Sequence, residues 1–247
     1  MLKYIILLLF ASLAVHLQGA GDVTIFGYFP GAEGETIHLN IYDDLISKQE
    51  RKLAVSVINE QGKFEFSVPV ENSQLLILRI FNGKNHLYAA PGEAYEVEYE
   101  QLVIRNREQD ESRLFRQRDF NITVYGRSND HEHLHKLVMR LDDMVATYLE
   151  NEVAGRIRTS HRASLEQFEK QLGSAFPETA QSYFDAYARY YLAYLQHTLN
   201  VRGVRALFHH YLKDQPLLLN NTAYVDFFRS LFDNYLFTAG SSISLDA

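Results

Sequence analysis

The chain has 247 residues, 47% of them hydrophobic and 22% charged, with a formal net charge of -7 at pH 7. That is a globular composition, too apolar for disorder, and its sign argues against a non-specific grip on polyphosphate. With Cys 0 there is no disulfide framework, thiol nucleophile, CxxC redox pair, Fe-S centre or cysteine-borne lipid anchor.

Residues 1–20 carry one cation, Lys3, then an apolar run from Tyr4 to Val15, then the small residues Gly19 and Ala20. This is the pattern of a cleaved secretory signal peptide, cut near Gly19 or Ala20. The apolar run stops near twelve residues, short of the roughly 20 that a spanning helix needs. The expected location is therefore periplasmic or otherwise extracytoplasmic, with no stable membrane span.

From residue 21 to about Gly126 apolar side chains recur at every second position, the strand period. Ile37, Leu39 and Ile41 alternate with polar neighbours, as do Leu53, Val55 and Val57, and then Phe64, Phe66, Val68 and Val70. Asn59 to Gly62 between the last two runs suits a tight hairpin reversal. A run from Leu75 to Phe81 ends at the turn signal Asn82-Gly83, and Tyr95, Val97 and Tyr99 alternate with Glu96, Glu98 and Glu100. One face of that last strand must be wet. Residues 105–119 carry mixed charge and are expected to form a solvated loop or edge, after which Phe120, Ile122 and Val124 resume the alternation. Roughly seven or eight such strands predict an antiparallel β-sandwich over 21–126.

The period then becomes helical. Leu134, Leu137, Val138, Leu141, Met144, Val145, Tyr148 and Leu149 make one stripe, and Leu165, Phe168 and Leu172 a second that should stop at Gly173. A third helix, from about Glu178 to Leu199, is dense in tyrosine from Tyr183 to Tyr194. A fourth around Leu207 ends near Pro216, and a fifth holds Tyr224 to Tyr235. The expected fold class is α+β: the sandwich, a bundle of about five helices over 127–238, and a frayed polar tail over 239–247.

His131, Glu132 and His135 satisfy H-E-x-x-H, which on a helix gives two zinc ligands on one face and a general base. Asn129 and Glu132, however, have capping-box spacing, which would leave the histidines at a solvated helix start. No residue stands out as a third ligand, so His131 and His135 are the metal candidates only of the alternative reading, a zinc-dependent hydrolase. The tyrosines from Tyr183 to Tyr194 fit core packing, or else a platform for sugars and other flat ligands. Neither a G-x-S-x-G elbow nor a Gly-rich phosphate loop occurs.

The stretches DVTIFGYFPGAEGETIHLNIYDD, NEQGKFEFSVPV, PGEAYEVEYE and KDQPLLLNNTAYVDFFRSLFDNYL together resemble the N-terminal region of bacterial extracytoplasmic thiol-disulfide proteins of the TlpA type. In that family a β-sandwich domain of unknown function and a helical segment precede a thioredoxin-like domain. The resemblance covers roughly residues 22–238. The CxxC-bearing domain has no counterpart here, so no catalytic residue carries over: the chain is a stand-alone accessory module or the front of a longer reading frame. These features point to a non-enzymatic envelope module that needs no cofactor. It would bind a surface ligand or a protein partner, a thioredoxin-like protein among the candidates.

Overall fold

The computed structural model describes residues 21–81, 83–100, 122–126, 132–155, 160–177 and 181–241. Eight strands precede five helices among them: β1 (Gly21–Tyr28), β2 (Thr36–Tyr42), β3 (Glu50–Val57), β4 (Lys63–Val70), β5 (Gln74–Ile80), β6 (Gly83–Ala89), β7 (Ala94–Tyr99) and β8 (Ile122–Gly126). The helices are α1 (Leu134–Val153), α2 (His161–Ala175), α3 (Ser182–Thr198), α4 (Val204–Tyr211) and α5 (Thr222–Ser241). The fold is α+β.

Two four-stranded sheets, ordered β4-β1-β7-β8 and β3-β2-β5-β6, pack face to face. The alternating residues make this possible: Phe64, Phe66, Val68 and Val70 on β4 turn inward while their neighbours stay exposed, and Tyr95, Val97 and Tyr99 do the same on β7. The ladders are antiparallel except between β1 and β7, which run parallel. Alternation cannot distinguish the two directions, because side chains swap faces every residue in both.

The turn at Asn59–Gly62 forms, closed by the Gly62 N–H on the Asn59 carbonyl at 2.9 Å and by the Gln61 and Lys63 N–H groups on Asn59 Oδ1. It does not join paired strands. β3 pairs with β2 and β4 with β1, so the reversal is a corner between the two sheets. Opposing Phe64 on the β1–β4 ladder is Gly27, where an added Cβ would lie 1.8 Å from the Phe64 ring. That ring fills the missing side chain's place and meets Phe66 and Tyr99 edge-on at 5.8 and 6.2 Å. Gly27→Ala should push it aside and lower the unfolding free energy by about 1 kcal/mol in urea titrations. An unchanged midpoint would show that the ring is not held there.

β6 is a strand that the sequence reading passed over, since Lys84, Asn85 and His86 look like loop. It is an edge strand, where polar residues are tolerated. β5 is buried on both faces, which explains its nearly continuous apolar run: Leu76, Leu78 and Ile80 enter the sandwich core, whereas Leu75 joins the helices. Leu45, Leu75 and Tyr88 share one core with all five helices, so the second sheet is a middle layer. On the same outer face Glu50 receives Arg79 at 2.5 and 2.6 Å and Asn40 at 3.0 Å. The bonded guanidinium lowers its carboxyl pKa to about 2.

Helix limits differ from expectation at three places. Gly173 lies inside α2, with nothing within 4 Å of its missing side chain, and the helix ends instead at Ala175, with Phe176 as its C-cap. A helical glycine costs about 1 kcal/mol, which the buried Phe168 and Leu172 offset. α4 stops at Tyr211, before Pro216, and α5 continues through Ala239 to Ser241. The expectations for 1–20, for 105–119, for Phe120 and for residues 242–247 lie outside the described residues.

Candidate functional site

The described part of the histidine motif straddles the start of a helix: His135 lies on α1 and Glu132 before it. α1 begins at Leu134, with His133 as its N-cap: the His133 Nδ1 accepts from the Lys136 N–H at 3.3 Å. Glu132 lies before the helix and pairs with Arg140 at 2.8 Å, while His131, Asn129 and Asp130 lie outside the described residues. The start of α1 is also not solvated. His133 and His135 are only 7% and 8% exposed, because the helix end is docked on β6, β7 and β8. Gly126 leaves room for this: a Cβ there would fall 2.1 Å from the His133 ring.

His135 accepts the Tyr88 N–H on Nδ1 at 3.4 Å. Burial, reinforced by His133, pulls its pKa down to about 4, so the ring is neutral at pH 7 and carries its proton on Nε2. It thereby satisfies a backbone donor on the outer side of edge strand β6. Glu93 completes the junction by accepting from the Leu134 N–H and from the Tyr95 hydroxyl. This places a carboxyl at the positive end of α1. Among the described residues no group of three or more His, Asp or Glu side chains could hold a metal ion.

The tyrosine-rich helix α3 divides its rings between two faces. Tyr183, Tyr187 and Tyr190 are buried in the helical core, as packing predicts. Tyr191 and Tyr194 are half-buried and line a cleft of about 400 Å³ between α3 and α5, with Tyr187 at its base and Asp226, Arg229 and Ser230 across from them. Spacings of four and three residues bring 187, 191 and 194 to one side of the helix. Their rings meet edge-on, with centroids 5.8 Å apart for Tyr187 and Tyr191 and 6.3 Å for Tyr191 and Tyr194.

Behind the cleft lies a chain of hydroxyls and one carboxyl. Tyr187 donates to Asp142 Oδ1 at 2.8 Å, and the Tyr88 hydroxyl lies 3.2 Å from Thr222 Oγ1. Burial pushes the Asp142 carboxyl up to about 6, helped by Asp143 and opposed by the Tyr187 hydrogen bond. Desolvation also raises Asp226, against the pull of Lys48 and Arg229, and takes Tyr191 up to about 12. Larger hollows exist among the described residues, one of about 560 Å³ between α1 and α2; the α3–α5 cleft gathers Tyr187, Tyr191 and Asp226, each raised by desolvation. Such a gathering in a cleft is the ordinary mark of a binding site.

The sequence reading named the tyrosines but missed Asp142, Asp226 and Arg229. Asp142 was findable, since it lies four residues after the buried Val138, on the core side of α1. Asp226 and Arg229 carry no such signal, because only the packing of α5 against α3 brings them opposite the tyrosines.

Fold and cleft together define a sandwich-plus-bundle protein with an aromatic, polar-rimmed recess. No family model matches the chain, and no curated protein matches it. Among solved structures it is similar to a "putative cell adhesion protein" from Bacteroides fragilis NCTC 9343, at 12% identity and a TM-score of 0.25. The match covers 46% of this chain and spans 47% of that protein's length, and no residue role is carried over from it.

Proposed function

We propose that the chain is an exported, non-enzymatic binding module of the cell envelope that takes its ligand in the cleft between α3 and α5. The observation that carries this reading is the pair Tyr191 and Tyr194, which pack half-buried against the helical core and line a recess opposite Asp226 and Arg229. Aromatic rings next to hydrogen-bonding groups give both contact area and orientation. Export is supported by Lys3, the apolar run from Tyr4 to Val15 and the small residues Gly19 and Ala20. No helix among the described residues is long and apolar enough to cross a membrane. The resemblance to the accessory region of TlpA-type proteins supports the same location and keeps a thioredoxin-like protein among the partners.

Two measurements test the reading. Protein recovered from outside the cytoplasm should begin at Ala20 or Gly21 on N-terminal sequencing; a chain still starting at Met1 would contradict export. Purified protein should bind envelope material of its source organism saturably, with no turnover and no change on adding a chelator. Zinc-dependent peptide hydrolysis that disappears in His135→Ala would overturn it in favour of the hydrolase.

A further inference from the structure

The geometry points to a neutral saccharide as the ligand of the α3–α5 cleft, an assignment that rests on the binding reading above and narrows it. Charge decides first. The Asp226 carboxylate is set against two cations, Lys48 from the β2–β3 loop and Arg229 from its own helix, and Asp142 lies behind Tyr187. The recess is thus nearly balanced and offers no net attraction to an anion or a cation.

Shape and hydrogen bonding decide next. The rings of Tyr191 and Tyr194 stand at 67° to each other, so they form a corner instead of a flat wall. A pyranose has one apolar C–H face that packs on such a ring and a periphery of hydroxyls that need partners. Those partners are across the cleft: a carboxylate that only accepts, a guanidinium that only donates, and a serine hydroxyl. The Ser230 hydroxyl spends its proton on the Phe227 carbonyl at 2.7 Å, which leaves its oxygen to accept from a ligand. The volume of about 400 Å³ is at the small end of small-molecule sites and suits one or two sugar rings better than a long chain.

Saturation-transfer NMR on the full chain tests this, with glucose, galactose, mannose and N-acetylglucosamine as probes and Nα-acetyl-lysine methylamide, its ε-ammonium free, as a cationic control. With Tyr 16 and Trp 0, irradiation of the aromatic region addresses tyrosine and phenylalanine rings without indole overlap. The expected result is transfer to ring C–H protons of at least one sugar. The signal should fall at least about tenfold in Tyr194→Ala and severalfold in Asp226→Asn, with the urea midpoint of each variant showing that it is folded. Transfer to none of the sugars, or transfer equal in wild type and Tyr194→Ala, overturns the assignment. Transfer to the lysine derivative alone overturns the saccharide class while leaving a binding cleft in place. Loss of envelope binding as well would bring down the broader reading with it.

Discussion

Replacing Tyr190 with alanine should cost about 3–5 kcal/mol of unfolding free energy, enough to consume much of the stability of a domain this size. The ring is 1% exposed and lies at the centre of the helical core, 4.8 Å from Tyr224 and 6.1 Å from Phe227 by centroid. Truncation leaves a cavity between α3, α4 and α5 that rigid neighbours cannot fill. It also removes the hydroxyl that donates to the Tyr211 carbonyl at 3.1 Å. Tyr190→Phe separates the two effects, since it keeps the volume and should cost about 1 kcal/mol. Urea denaturation of both variants checks the ranking. A Tyr190→Ala chain as stable as Tyr190→Phe would mean that the helices are not packed around this ring.

Asp142→Asn should stabilise the protein by about 2 kcal/mol at pH 7.5, with the gain fading as the pH falls. The sign follows from the direction of the shift. Burial raises the folded-state pKa from 3.8 to about 6, so the native state holds the proton more tightly than the unfolded chain does. Stability linked to this group is fully present below the unfolded pKa near 3.8 and is lost as pH rises through 6. Above that the ionised carboxylate imposes its whole desolvation cost, of which partial exposure to water removes some. Asparagine escapes the cost and still accepts from the Tyr187 hydroxyl. Urea midpoints of wild type and variant should therefore diverge between pH 4 and 7.5. Parallel profiles would show that Asp142 is solvated, and a loss at pH 7.5 would show that the Tyr187 bond to the charged form outweighs burial.

Much of the fold is legible in the residues. On β4 and β7 the alternation is clean because one face is core and the other is water, and the stripe from Leu134 to Tyr148 reads as a helix for the matching reason at period 3.6. What failed to show depends on partners distant in sequence. The parallel pairing of β1 with β7 and the assignment of β3 and β4 to different sheets depend on which apolar faces meet, and that is decided by the assembled sandwich. His135 looked solvated because a capping pattern precedes it, yet docking on β6 buries it and turns it into a backbone partner for Tyr88. The same limit applies to the cleft. Six tyrosines and phenylalanines on α3 fit a core equally well until α5 covers one flank and leaves Tyr191 and Tyr194 beside Asp226.

The helix α3 is thus assigned two separable roles, one flank holding the bundle together and the other receiving a ligand. Binding to envelope material by the double variant Tyr191→Ala/Tyr194→Ala, read beside its urea midpoint, addresses that division directly. The expected result is a folded chain, far less destabilised than Tyr190→Ala, whose binding has disappeared. Undiminished binding, or a double variant that no longer folds, would contradict it.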